Sequence, residues 1–95
     1  MFSIYRSETA VTPLRETWEG ANNNLREAIL RASHLINLRL HEKPQRQGES
    51  RGGRTRVLFQ APVGVLFEVD EERKLVSIVR SWAYLPAKGA RDDAE

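Results

Sequence analysis

Residues 54–84 read RTRVLFQAPVGVLFEVDEERKLVSIVRSWAY, and this block constrains the fold more than any other part of the chain. Three β-rich runs are separated by two short breaks. Residues 54–60 form the first run. Ala61-Pro62 ends it, because proline cannot donate to a strand ladder. Residues 63–70 form the second, Glu71-Glu72-Arg73 a charged tip, and residues 74–84 the third. Connections this short allow only antiparallel neighbours. The block is therefore a three-stranded antiparallel meander.

Side chains alternate between faces along a strand. That parity places Arg54, Arg56, Leu58 and Gln60 on one face of the first run and Thr55, Val57 and Phe59 on the other. In the third run Arg80 shares a face with Ile78, Trp82 and Tyr84. One sheet face could thus gather Arg54, Arg56, Arg80 and Tyr84, leaving an apolar face to pack on helices. A one-residue slip in any strand would split the group.

Upstream, residues 2–6 alternate apolar and polar as a short strand. Thr12-Pro13 reads as a helix start, with Glu16 in the first turn and Leu14, Thr17, Trp18 and Ala21 on one face. A longer helix is expected over residues 25–41. In it Leu25, Ala28, Ile29, Ala32, Leu35, Ile36 and Leu40 recur at helical spacing, with Asn24 and Glu27 as a capping box. Residues 45–53 read as a polar loop. The order is strand, two-helix hairpin, then meander: an α+β fold. Its core is expected from Leu25, Ile29, Ala32, Ile36 and Leu40 against Val57, Phe59 and the last two strands, with Leu35 and Trp18 between the helices. Residues 1–86 make one domain, and residues 87–95 a polar, acidic-ended tail expected to be mobile.

The chain of 95 residues has no cysteine, which excludes disulfides, thiol catalysis and cysteine-ligated metals. That fits a cytoplasmic protein. Charge arrives too early for a signal peptide, and no apolar run approaches a membrane span. His34 and His41 lie seven apart with no third ligand, so neither a metal nor another cofactor is expected. Net charge is +2 but uneven: Lys43, Arg46, Arg51, Arg54 and Arg56 cluster against Glu49 alone, while Glu68, Asp70, Glu71 and Glu72 reverse the sign. Such a basic segment suits RNA, an acidic protein partner, or plain solvent.

The run GVLFEVDEERKLVSIVRSW, after an arginine-bearing strand and a helical N-terminal half, resembles the RelE/ParE superfamily, the toxins of type II toxin–antitoxin systems. Gln47-Gly48-Glu49-Ser50-Arg51 and residues 61–67 resemble one branch of it. The resemblance implies a cognate antitoxin as partner and either a target, mRNA on the ribosome or DNA gyrase, or an attenuated member that keeps only antitoxin binding. Enzymatic members direct the ribose 2′-hydroxyl at the adjacent phosphate without metal. That chemistry needs a base, an acid and positive charge on the transition state. The resemblance makes Arg80, Arg56 and Tyr84 the catalytic candidates, and Arg54, Arg51, Lys43 and Arg46 the RNA contacts. Trp82 stands where many members carry histidine, and Glu49 is a further candidate base. Arg80 could instead pair with Glu68, Tyr84 could simply cover the sheet, and Trp82 could pack or stack on a base.

Overall fold

The computed structural model describes residues 1–84. The elements are β1 (Ser3–Arg6), α1 (Glu8–Glu19), α2 (Asn23–Glu42), a 3-10 turn (Pro44–Arg46), β2 (Glu49–Ser50), β3 (Thr55–Gln60), β4 (Val63–Asp70) and β5 (Leu75–Ala83). The α+β order expected from the sequence holds. The tail expected over residues 87–95 lies outside the described residues.

The five strands form one sheet in the order β1-β5-β4-β3-β2. The meander of β3, β4 and β5 is antiparallel, as its short turns require. β1 joins the far side of β5 in parallel, with Ser3 opposite Leu75 and Arg6 opposite Ile78. A parallel neighbour needs a long crossover, and the two helices supply it. Glu49–Ser50, within a stretch expected to be loop, adds a short antiparallel edge to β3.

Both helices begin earlier than their sequence signals suggested. α1 is capped by Ser7, whose hydroxyl accepts from the Ala10 N–H at 3.1 Å. Pro13 therefore sits in the second turn rather than at the first helical position, where it forfeits one helix hydrogen bond. α2 is capped by Asn22, whose side-chain oxygen accepts from the Leu25 N–H at 2.8 Å. With Asn22 as the cap, Glu27 lies too far along to close a capping box, which needs its acid three residues after the cap. Arg26 fastens the hairpin. Its Nε donates to the Trp18 carbonyl at 2.8 Å and its Nη2 to the Glu19 carbonyl at 2.7 Å, with the guanidinium 4.5 Å above the Trp18 ring.

The core lies between the helices and one face of the sheet. α2 contributes Ile29, Ala32, Ile36 and Leu40; the strands contribute Leu58, Val63, Val65, Phe67, Val69, Val76 and Ile78. Leu25 and Trp18 pack on its margin. Three expectations fail here. Leu35 is exposed rather than between the helices. Phe59 is 51% exposed and Leu58 takes the core position. The register explains the exchange: Leu58 pairs with Val65 and Gln60 with Val63, so the even-numbered residues of β3 face the helices. Val57 is buried, but it lies opposite Leu66 on the other face.

The link from α2 into β2 depends on one glycine. Gly48 has φ +69°, and a Cβ there would stand 2.0 Å from the Val57 carbonyl oxygen. Gly48→Ala is expected to lose more than the roughly 1–2 kcal/mol of a left-handed residue alone, because backbone must also move. A urea titration with an unchanged midpoint would contradict this close approach.

Candidate nucleic-acid interface

The sheet face away from the helices carries Phe59, Leu66, Arg80, Trp82 and Tyr84, and one irregularity in β5 creates that grouping. Leu66 pairs with Arg80, but its neighbour Phe67 pairs with Ile78, so Val79 is an extra, bulged residue. A bulge reverses the facing of every later side chain in its strand. Ile78 accordingly points into the core, whereas Arg80 and Trp82 point away from it. Strict alternation had put Ile78 and Arg80 on one face, and the bulge overturns that.

The expected gathering of Arg54, Arg56, Arg80 and Tyr84 is also overturned. Arg56 pairs with Phe67, a core residue, and so lies on the helix side of the sheet. Its Nε donates to the Gln47 carbonyl at 2.8 Å and its Nη2 to the Gly48 carbonyl at 3.1 Å. Arg39 braces the same turn, donating to the side-chain oxygens of Gln47 at 2.7 Å and Gln60 at 3.0 Å. Arg56 thus shapes the β2 connection, with much of its donor capacity engaged there.

Arg54 approaches Asp70 at 3.8 Å and borders an open cleft shared with Arg56, Glu71 and Glu72. Those acids oppose a polyanion. Arg51 lies 3.8 Å from Glu49, and both are exposed. Lys43 and Arg46 are exposed at the end of α2 and in the 3-10 turn. The basic segment therefore spreads around one end of the molecule rather than across the open face. Glu49 pairs with Val57 and so stands at the β2 edge of that face.

Arg80 is exposed, and none of the ion pairs among the described residues involves it. Glu68, offered by sequence as its structural partner, lies instead opposite Thr55 and Ser77. Beside Arg80, the aromatic side chains interlock. The Phe59 ring meets Trp82 edge-to-face at 6.1 Å between centroids and meets Tyr84 the same way at 5.5 Å. Tyr84 is held at the strand end by its backbone N–H, which donates to the Pro62 carbonyl at 2.8 Å. Trp82 lies opposite Gly64, and a Cβ on that glycine would stand 2.7 Å from the indole.

Phe59 and Gly64 escaped the sequence reading as members of this site. A glycine inside a strand does signal close approach of another group, so Gly64 between Val63 and Val65 was a usable cue. The residue it accommodates could be named only once the register was known. Chemically, the face offers a permanently charged planar fork, a phenol and half-exposed aromatic rings. That set can hold phosphate and stack on planar groups.

His34 is exposed, and His41 is engaged structurally, its Nδ1 hydrogen-bonded to the Phe2 carbonyl at 2.7 Å. No helix among the described residues is long and apolar enough to cross a membrane.

No protein-family model matches the sequence, and neither does any curated protein. Solved structures do match. The fold is similar to a chain of the toxin–antitoxin complex RelBE2 from Mycobacterium tuberculosis, with TM-score 0.61 and 15% identity over 86% of this chain and 90% of that one. It is similar also to the isolated RelE toxin of E. coli, with TM-score 0.58 and 11% identity over 99% of this chain and 96% of that one. On both comparisons this chain has the fold of the RelE toxins.

Proposed function

We propose that this chain is the toxin of a toxin–antitoxin pair and acts on translation as an mRNA endonuclease through the open face of its sheet. The observation that carries the proposal is Arg80: an exposed arginine, in no ion pair among the described residues, beside an aromatic cluster on the uncovered side of a RelE fold. Exposed charge without a partner adds little to stability, so its value lies in what it can contact. In this reading the Arg80 guanidinium holds the scissile phosphate and stabilises charge built up in the transition state. Tyr84 donates a proton or hydrogen bond at the strand end. Arg56 acts indirectly, by fixing the turn at Gln47 and Gly48. Lys43, Arg46 and Arg51 supply longer-range attraction to RNA from the molecule's end. The partner is an antitoxin; one of the similar structures is itself a toxin–antitoxin complex.

A second reading has one observation in its favour. With Arg56 turned to the helix side and Arg54 held beside Asp70, the open face keeps little positive charge besides Arg80 and no clear acid–base pair, which suits a toxin that binds DNA gyrase without chemistry of its own. Pulse labelling after induction separates the readings. Amino-acid incorporation is expected to fall first. An earlier fall in DNA synthesis, with loss of supercoiling, would replace the RNA reading by the gyrase one. Unchanged synthesis of both, with verified soluble protein, would leave only antitoxin binding.

A further inference from the structure

We infer that the outer side of α2 is a contact surface for a second copy of this chain, with the two helices antiparallel. Arg31, Leu35, Leu38 and Glu42 of one copy meet Glu42, Leu38, Leu35 and Arg31 of the other, in that order. The inference does not depend on the RNA reading, because α2 lies on the opposite side of the sheet from Arg80.

The four residues follow one another at steps of four, three and four, so they form a single stripe along a helix of 3.6 residues per turn. All four are exposed, whereas Ile29, Ala32, Ile36 and Leu40 bury the other side of α2. Leu35 is 40% and Leu38 51% exposed, two neighbouring leucines that nothing in the described chain covers. Leu30 lies on another flank of α2 and lines the groove shared with Val11, Leu14 and Trp18 of α1. The stripe is thus separate from that groove.

The charges at its ends indicate what covers it. Neither Arg31 nor Glu42 belongs to an ion pair among the described residues. About 16 Å of helix separates them, at 1.5 Å per residue, so they cannot pair within one chain. Glu42 closes α2, where the helix dipole favours a cation and disfavours an acid. A facing arginine removes that penalty. The order basic, leucine, leucine, acidic is complementary to itself only when reversed. A parallel pair would set Arg31 against Arg31 and Glu42 against Glu42, whereas a two-fold axis between the leucines pairs each arginine with a glutamate. Contact over about three turns belongs with weak interfaces, under about 1,200 Å², so association should depend on concentration. Such a pair leaves both Arg80 faces uncovered.

Sedimentation equilibrium of the full chain at low salt, from micromolar to millimolar concentration, tests this with charge reversals. The parent is expected to pass from monomer to dimer. Arg31→Glu and Glu42→Arg are each expected to weaken association about tenfold, because the axis repeats every reversal at both ends. Mixing the two variants is expected to restore it, since both ends of the mixed pair are then opposite in charge. A parent that stays monomeric, or singly reversed variants that associate like the parent, would overturn the inference. So would association lost in Leu30→Glu but kept in Leu38→Glu, which would move the contact into the groove beside α1. If a charge variant fails to melt cooperatively, Leu38→Glu decides: dimerisation equal to the parent contradicts the stripe.

Discussion

Replacing Arg80 by alanine is expected to abolish growth inhibition while leaving the protein as stable as the parent. The side chain is exposed, belongs to no ion pair among the described residues and lies outside the apolar core. Surface changes of this kind usually move stability by no more than about 0.5 kcal/mol. Removing one preorganised charge donor from a reaction site typically lowers turnover by about 10²–10³-fold. Arg80→Lys is expected to be impaired too, because an ammonium cannot form the bidentate fork that a guanidinium makes with phosphate. Growth assays and melting curves on the same variants check this. A stably folded Arg80→Ala protein that still arrests growth would remove Arg80 from the site.

The second large effect is on stability. Phe67 is fully buried between α2 and the sheet, with 0% of its surface exposed. Phe67→Ala is expected to cost about 3–5 kcal/mol through lost burial and the cavity left behind. That is a large share of the roughly 5–15 kcal/mol of a small domain. Phe59→Ala, on the open face, is expected to cost about 1 kcal/mol or less, close to the average for point changes. Urea titrations of the two variants test the register directly. A larger loss for Phe59 than for Phe67 would invert the assignment of the two faces.

The difference between those phenylalanines shows where the sequence was legible. The element order was, because helical spacing from Leu25 to Leu40 and the breaks at Ala61-Pro62 and Glu71-Glu72-Arg73 are local signals. The apolar stripe of α2 was legible for the same reason: Ile29, Ala32, Ile36 and Leu40 are all buried as expected. Which face of β3 turns inward was not. Val57 and Leu58 are both buried and both flank the decision, so parity alone cannot choose between Leu58 and Phe59. That choice is made by pairing with Val65, a contact between strands.

The bulge at Val79 is a similar case. Nothing in VSIVRSW marks an extra residue, yet it carries Arg80 from the core side to the open side. Without it Arg80 would share a face with buried Ile78, and Tyr84 would point the wrong way. The candidate site was therefore only half readable. Arg80, Trp82 and Tyr84 were named together from their spacing, whereas the company of Arg54 and Arg56 depended on a register that the molecule does not adopt. Early helix starts have a simpler origin. Ser7 and Asn22 were available caps, but Pro13 and the run of asparagines gave competing signals nearby.

The most direct measurement is to map 5′ ends of mRNA recovered from a reconstituted translation reaction containing this protein or its Arg80→Ala variant. The account predicts new ends within ribosome-bound codons for the parent protein and none for the variant. Intact message in the presence of soluble, folded parent protein, or equal cleavage by the variant, would contradict the claim that the Arg80 face of the sheet acts on RNA.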